Sequence, residues 1–240
     1  MLTERQIQLL NTIINEYVES SEPVGSQILV QKYKLRYSPA TVRNEMAKLI
    51  EEGFLEMIHT SSGRVPTSMA YRIFLTDLME EEDMPVLQEV AMKQKLWPAR
   101  FEFEKMLRQT AVALSDVTKE MAFLTSKDGF LSSAGSVNLL DHREFWDIET
   151  AKEALNLSDR YELVEQALSK SRESGDVKCM IGDEIGINKL QNCGIVFSEY
   201  DTGKKSGYVA VMGPSRMKYQ RIIPAVRYAK NLIEELAGSW

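Results

Sequence analysis

The stretch from Ser38 to Thr67, "SPATVRNEMAKLIEEGFLEMIHTSSGRVPT", carries a helix signal followed at once by a hairpin signal. Ser38 is a favoured N-cap residue, and Pro39 falls at the first helical position, where its missing N–H costs nothing. Residues of a helix are offset by 100°, so the apolar residues that follow fall within one sector. They are predicted to face the core: Val42, Met46, Leu49 and Ile50.

The other side of this helix is small, polar and basic. It carries Thr41, Asn44, Ala47 and Lys48, with Arg43 at its flank. A helix that reads the major groove needs short residues for close approach and an amide or guanidinium that can pair with base edges. Asn44 matches adenine, and Arg43 can reach guanine or phosphate. Any solvated surface helix is also polar outside, so the helix alone leaves both interpretations open.

The neighbouring segments favour the DNA-reading alternative. Thr3 and Gln6 form a capping-box pattern that opens a first helix, and Ser26 is expected to cap a short second one. After the third helix, "FLEMIHT" and "VPT" are predicted to pair as a β-hairpin around the turn "SSGR". This order predicts a winged helix-turn-helix, with Arg64 at the wing tip against phosphate or the minor groove.

The charge of the chain is acidic overall but basic around this segment. The net charge is −6, which argues against nonspecific adhesion to nucleic acid. Between Ser26 and Arg72 there are seven basic residues against four acidic ones. The local surplus is where a DNA contact would lie.

The remainder of the chain predicts a second, α+β domain. Ser68 to about Asp83 is helical, and the acidic run "EEEDMP" is the linker, which places a boundary near Glu82 and gives domains 1–82 and 83–240. Helices are expected over Glu89 to Met121, broken around "WPAR", over Glu144 to Ser171, and at the end of the chain. The strands are "MAFLTS", "FLSSAGS", "VKCMIG", "CGIVFSEY" and "SGYVAVMG". Short turns between them predict an antiparallel sheet with helices packed on one side.

No motif for catalysis, metal binding or a cofactor is recognisable. The chain has two cysteines, Cys179 and Cys193, in apolar segments without CxxC spacing, which predicts buried thiols and a reducing compartment. No apolar run is long enough to span a membrane, and the first residues lack a secretory signal, so the chain is expected to be cytoplasmic. We expect no enzyme, no metal and no cofactor.

Two polar clusters of the second domain have structural interpretations. Asp141, His142 and Glu144 lack metal-ligand spacing and are predicted to cap the helix that follows. Arg216 and Lys218 follow "GPS" just before a helix, where an anion could bind, but a turn with solvated basic residues is the simpler interpretation.

Several segments resemble the HrcA family of bacterial heat-inducible transcription repressors. The first half matches in "EPVGSQIL", in the whole stretch Ser38 to Thr67 and in "YRIFL". Farther along, "AGSVNLL", "IGDE" and "YVAVMGPSRMKYQRIIPAVRYAKNLI" are similar to the family's C-terminal, GAF-like domain. The resemblance therefore reaches both ends of the chain.

This resemblance implies a homodimeric repressor that binds an inverted-repeat operator called CIRCE, in double-stranded DNA upstream of chaperone operons. It also implies the chaperonin GroEL as a partner that maintains the active fold, so that heat stress releases the repressor. The helix and wing supply a candidate DNA-binding set: Ser38, Thr41, Arg43, Asn44, Lys48 and Arg64. Between "MAFLTS" and "FLSSAGSVNLL" only "KDG" stands where the family carries an inserted dimerising domain, so the expected second domain is a reduced one.

Two other functions are compatible with parts of the sequence. A ligand sensor would bind a small effector in the GAF-like domain, and nothing in the sequence separates it from a plain repressor. An adaptor that kept the fold and lost the operator is disfavoured by the intact "SPATVRNEM" and "SSGR" segments.

Overall fold

The chain forms two compact units, Met1–Met79 and Glu80–Trp240. The computed structural model describes residues 2–58, 63–171 and 173–237. The expected boundary at Glu82 lies just beyond this division, inside the acidic run.

In its described residues, the first unit contains four helices and a short hairpin. The helices are α1 (Glu4–Ser20), α2 (Ser26–Tyr33), α3 (Pro39–Glu51) and α4 (Ser68–Ile73), the last extended by a π-helical turn at Phe74–Leu78. The strands are β1 (Leu55–Glu56) and β2 (Val65–Pro66), which pair antiparallel. The predicted hairpin is therefore present, but its turn at "SSGR" begins at Ser61 and Ser62, which lie outside the described residues.

The expected caps hold for α1 and α3 but not for α2. Thr3 and Gln6 form both hydrogen bonds of the capping box, and the Ser38 side chain accepts from the Thr41 N–H. The prediction for Ser26 was wrong by one residue, because Gly25 is the N-cap of α2 and Ser26 is its first helical residue. Gly25 has the extended backbone of an N-cap, but glycine has no side chain, so no side-chain cap is made there.

The core of the first unit joins all its elements through large apolar side chains. Val42, Met46 and Leu49 of α3 are buried as predicted, whereas Ile50 is only partly buried. They belong to a set of buried residues that extends from α1 to the π-helical turn: Leu10, Ile13, Ile14, Leu29, Leu55, Val65, Tyr71 and Phe74. Burial of this stripe fixes which side of α3 faces outward.

In the part of it that the structure describes, the second unit is a five-stranded antiparallel sheet with five α-helices and several short 3₁₀ helices. The helices are α5 (Val86–Leu96), α6 (Phe103–Thr118), α7 (Ile148–Asp159), α8 (Tyr161–Leu168) and α9 (Tyr219–Ala237). The strands are β3 (Met121–Ser126), β4 (Phe130–Ala134), β5 (Lys178–Ile181), β6 (Cys193–Asp201) and β7 (Ser206–Pro214). Their order across the sheet is β4-β3-β7-β6-β5. All five predicted strands are confirmed.

The segment "KDG" is a tight hairpin turn between β3 and β4. Ser126 pairs with Phe130, and Gly129 adopts a positive φ of 92° in the turn between them. Glycine reaches this backbone conformation without the steric cost that other residues incur. The sheet therefore passes directly from one strand to the next at the place where the insertion was expected to be missing.

Helices cover both faces of the sheet, which corrects the expectation of one covered face. Met121 and Phe123 belong to a core cluster that includes Ala154 and Leu157 of α7 and Val164 of α8. Helices α6 and α9 contact the sheet as well, and the side chains of alternate strand residues are buried away from that cluster: Ala122, Leu124, Val196, Val209 and Val211. Since β3 is buried at every position, both faces need a covering layer.

The helix expected over Glu144 to Ser171 is two shorter helices. It begins only at Ile148, because the side chain of Asp147 accepts from the Thr150 N–H and caps α7. Arg160 then leaves the helical conformation, with φ −123° and ψ 110°, and separates α7 from α8. Cys179 and Cys193 are buried free thiols, as predicted.

Within the described part of the chain, no helix is both long and apolar enough to cross a membrane.

Candidate DNA interface

The N-terminal turn of α3 is fixed by its own polar side chains. The Ser38 hydroxyl accepts from the Thr41 N–H at 3.1 Å and lies 3.0 Å from the Thr41 hydroxyl. Pro39 occupies the first helical position. Ser38 and Thr41, both members of the candidate set, therefore hold the N-terminal end of α3 in place. The free N–H groups at this end favour an anion.

The outward face of α3 carries Arg43 and Asn44. Both side chains are exposed. In the described part of the chain, neither side chain has a hydrogen-bond or ion-pair partner. An amide and a guanidinium held on a buried helix and facing solvent are the groups that pair with base edges in a major groove.

Lys48 lies on the same outward face but has a partner. Its Nζ is 3.5 Å from a carboxylate oxygen of Glu45, the buried acidic residue of α3. Glu45 also pairs with Arg5 of α1, whose guanidinium lies 5.5 Å from the Tyr37 ring. Sequence reasoning missed Arg5 and Glu45, although Glu45 falls beside Met46 on the buried side of the helix. This pair fixes α3 against α1.

A second buried carboxylate joins α1 to α2. Glu16 accepts from Lys32 Nζ at 2.6 Å and from the Tyr33 hydroxyl at 2.9 Å. Hydrogen bonds to Glu16 and Glu19 raise the pKa of the exposed Lys32, and burial together with Glu16 raises the pKa of Tyr33 to about 12. Lys32 therefore stays cationic, and its ion pair with Glu16 holds α2 against α1.

Arg64 lies directly before β2, where the loop of the hairpin rejoins the sheet, and not at the wing tip where it was expected. Its main chain exchanges two hydrogen bonds with Val24, at 2.9 and 2.8 Å. Its side chain is half-buried, and its Nη1 is 3.5 Å from the Gly63 carbonyl. The loop between α1 and α2 thus adds a bridge to the two-stranded sheet.

Gly63 permits this bridge because it has no side chain. A Cβ at this position would lie 2.5 Å from the main-chain carbon and oxygen of Pro23 and 2.7 Å from that of Val24. Main-chain atoms cannot yield as a flexible side chain can. The glycine of "SSGR" is therefore required by close approach of two chain segments, a reason that the turn signal alone did not reveal.

A buried charged cluster in the second unit shows that two interpretations made from the sequence were wrong. Glu144 accepts from Arg216 at 2.7 and 3.1 Å, with 14% and 10% of their side chains exposed. His142 Nε2 lies 2.9 Å from Glu120, and burial raises the pKa of that carboxyl above its usual range. His142 and Glu144 therefore do not cap the next helix, and Arg216 is not a solvated residue of a turn.

A surface pocket of about 210 Å³ is lined by residues of α6 and the segment after β4, including Ser115, Lys119 and Asn138. Pockets that hold drug-sized ligands measure roughly 300–1,000 Å³. The described residues also contain no group of acidic, histidine and cysteine side chains that could hold a metal ion.

These features define a class of two-unit proteins. A small helical unit presents an exposed polar helix face, and a separate α+β unit follows it in the chain. Residues 57–223 match the family model described as the HrcA protein C terminal domain. Because this match covers more than half of the chain, the chain belongs to the HrcA family.

Individual relatives agree with this assignment. The chain is 24% identical to the heat-inducible transcription repressor HrcA of Acetivibrio thermocellus, over 98% of this chain and 96% of the relative. It is 25% identical to the protein of the same name from Clostridium acetobutylicum, over 94% of each chain. A crystal structure of a hypothetical protein shares the fold, with a TM-score of 0.77 and 19% identity over 100% of this chain and 99% of that one.

The alignment with the Acetivibrio protein is longer than this chain. The match to the Acetivibrio protein runs over 336 positions, which is 96 more than the 240 residues of this chain. The relative therefore has sequence without a counterpart here.

Proposed function

We propose that this chain is a heat-inducible transcriptional repressor that binds double-stranded DNA through a winged helix-turn-helix in its first unit. The observation that carries the proposal is the face of α3, on which Arg43 and Asn44 are exposed while Val42, Met46 and Leu49 are buried. The curated relatives bear the name heat-inducible transcription repressor HrcA, which supports the same function. Neither the relatives nor the family identifies a catalytic role.

The assignment of a wing rests on the contacts of the hairpin. β1 and β2 follow α3 directly, and the Val24–Arg64 bridge adds a third segment to their sheet. A helix followed by a hairpin that is hydrogen-bonded to the loop before the second helix is the arrangement expected of a winged helix. In this arrangement Arg64 and Lys48 contact phosphates, and Arg43 and Asn44 contact bases.

The second unit is proposed to be a GAF-like dimerisation and regulatory domain. Its five-stranded antiparallel sheet covered by helices supports this assignment. We further propose that the operator is an inverted repeat of the CIRCE type, that a homodimer binds it, and that the chaperonin GroEL maintains the active protein.

Binding to matched DNA duplexes tests the proposal. Fluorescence anisotropy at fixed salt would compare a labelled inverted-repeat operator with a scrambled duplex of the same length and composition. We expect a Kd on the order of 10⁻⁸ M or lower for the operator and an affinity at least ~10³-fold weaker for the scrambled duplex. Equal affinities for the two duplexes would refute sequence-specific repression. Salt must be held constant because phosphate contacts make every affinity salt-dependent.

A further inference from the structure

Helix α5 has two apolar sides, of which only one is covered by its own unit. Met92 and Leu96 are buried, at 1% and 0% exposure. Val86, Leu87 and Val90 on the other side are exposed by 70%, 84% and 46%. A surface helix of a self-sufficient domain carries polar residues on its outer face, and contiguous exposed apolar residues mark an interaction site.

The exposed apolar residues follow the spacing of a helix–helix interface. Leu87, Val90, Gln94, Trp97 and Phe101 are separated alternately by three and four residues, and all five are exposed. Leu87, Val90 and Gln94 lie in α5, where this spacing places them along one seam, as in the a and d positions of a coiled coil. Trp97 opens the 3₁₀-helical turn Trp97–Ala99 that follows α5, and Phe101 lies just beyond that turn. We call these five residues the α5 seam. Its one polar residue, Gln94, lies at its centre.

The C-terminal end of the seam is an ordered aromatic cluster. The guanidinium of Arg100 lies 4.4 Å from the Trp97 ring and 4.2 Å from the Phe101 ring. Its Nη1 also donates to the Trp97 carbonyl at 2.7 Å. Tryptophan and arginine are enriched among the residues that dominate binding energy, and side chains already held in place lose less entropy on association.

The rest of the unit holds α5 firmly, so the seam is presented in a fixed position. Lys93 pairs with Glu235 of α9 at 2.8 Å, and Lys95 pairs with Asp116 of α6 at 2.7 Å. The Tyr228 hydroxyl donates to the Glu89 carbonyl at 3.1 Å. The apolar exposure of α5 is therefore a property of a packed helix.

We propose that the α5 seam is a homodimer interface in which the α5 helices of two copies pack antiparallel. The charge distribution favours a second copy in this orientation. Residues 80–92 contain acidic residues and no basic ones, whereas residues 93–101 contain basic residues and no acidic ones. Antiparallel packing sets the acidic end of each helix beside the basic end of its partner, and a twofold interface repeats every such contact.

A single register satisfies the whole seam. With the twofold axis at Gln94, Val90 faces Trp97 of the second copy, and Leu87 faces the segment around Phe101 that follows α5 in the second copy. Each Gln94 faces its own counterpart, where the two amides can hydrogen-bond and fix the register, as a lone polar residue does in a coiled coil. Several of the flanking charges are in intrachain ion pairs, whereas Glu89 and Arg100 form no ion pair in the described part of the chain. The attraction between copies therefore rests mainly on these two residues.

The inference deepens the proposed function, because a twofold operator requires a twofold protein. It also explains how the chain could dimerise although β3 and β4 are joined by a direct hairpin, at the place where the family's dimerising insertion was expected to be missing. A dimer built on the α5 seam needs no such insertion.

Cysteine crosslinking tests both the surface and the register. Gln94→Cys places one thiol of each copy at the twofold axis, whereas Gln88→Cys places an exposed thiol on the same helix away from the seam. We expect mild oxidation to give a disulfide-linked dimer with Gln94→Cys and not with Gln88→Cys. The two natural cysteines are buried and do not compete. Crosslinking of both variants to the same extent, or of neither, would overturn the proposed register.

Sedimentation measures the interface without DNA. The wild-type chain should be a dimer, and Leu87→Asp should raise the dimer Kd about 30-fold or more, as expected for an interface hot spot. Ile148→Asp is the matched control, because Ile148 is also an exposed apolar residue at a helix end, with 64% exposure. A monomeric wild type, or a dimer that only Ile148→Asp weakens, would overturn the inference.

Half-site binding separates this inference from the proposed function. Leu87→Asp should bind a DNA half-site as the wild type does and should lose affinity only for the complete operator. If the wild type forms the α5 dimer but binds no operator, the proposed function fails and the interface stands. If the wild type binds the operator while Gln94→Cys does not crosslink, the interface fails and the function stands.

Discussion

The main chains of Val24 and Arg64 exchange two hydrogen bonds, at 2.8 and 2.9 Å, across 40 residues of sequence. This pair connects the loop that precedes α2 to the hairpin that follows α3. Helix α3 is thereby enclosed between two segments that are bonded to each other. Its stability, and the DNA contacts proposed for it, depend on this relationship and on the ion pairs around it.

Gly63→Ala should disrupt the bridge between these two segments. The added Cβ would lie 2.5 Å from Pro23 main-chain atoms, so the hairpin must move. We expect a loss of about 1–3 kcal/mol in the free energy of unfolding, as for other overpacked sites, measured by urea denaturation. Operator affinity should fall as well.

Gly25→Ser is the control for this substitution. A Cβ added at Gly25 would meet no atom within 4 Å, and the residue is the N-cap of α2, where serine is favoured. The stability of this variant should equal or exceed that of the wild type. Equal stability of Gly63→Ala and the wild type would contradict the close approach.

Arg43→Ala and Asn44→Ala should each weaken operator binding by about 1–3 kcal/mol, the usual loss for a base-contacting side chain. Their stability should be unchanged because both side chains are exposed. Anisotropy on operator and scrambled duplexes would measure the effect. Lys48→Ala is the comparison, since a phosphate contact should weaken binding to both duplexes to the same degree.

Arg64→Ala should reduce the dependence of binding on salt. A lost phosphate contact lowers the slope of log K against log salt by about 1, on specific and scrambled DNA alike. Titrations at several salt concentrations provide the slope. An unchanged slope would place Arg64 outside the DNA contact and leave it with only a structural role in the hairpin.

Arg216→Met should destabilise the second unit strongly. It leaves Glu144 buried without its bidentate partner, and breaking a buried pair costs about 3–5 kcal/mol. All three tryptophans, Trp97, Trp146 and Trp240, belong to the second unit, so their fluorescence follows its unfolding. Arg221→Ala, which removes an exposed pair with Glu82, should cost at most about 1 kcal/mol. Similar losses in the two variants would argue against the buried pair.

Glu120 should make stability depend on pH. Burial raises the pKa of its carboxyl in the folded state above the ordinary value of 4.5. Its contribution to stability is therefore complete below that ordinary value and is lost as pH rises through the folded pKa. Glu120→Gln removes this titration. The stability of the wild type relative to Glu120→Gln should fall as pH rises from the ordinary value, and a constant difference in urea denaturation would contradict the assignment.

Local signals predicted much of the fold. The capping box at Thr3 and the Ser38–Pro39 start of α3 are encoded by adjacent residues, and both are confirmed. The five strands of the second unit follow from apolar runs bounded by polar turns. The cap at Asp147 was missed because several acidic residues precede α7 and each is a plausible N-cap in sequence.

Contacts between distant residues could not be predicted in the same way. Arg5 and Glu45, Val24 and Arg64, and Glu144 and Arg216 meet only after the helices and strands pack. One signal was present and could have been used. The strand "MAFLTS" is apolar at four successive positions, a pattern typical of a strand with both faces covered.

The proposed reading of base sequence by α3 is tested most directly by a base-substitution profile. The wild type and Asn44→Ala would be titrated against operator duplexes that each carry one substituted base pair in both half-sites. The wild type should lose about 1–3 kcal/mol at the adenine with which Asn44 is proposed to pair, and Asn44→Ala should lose discrimination at that position alone. Identical profiles for the two proteins would contradict the assignment of α3 as the recognition helix.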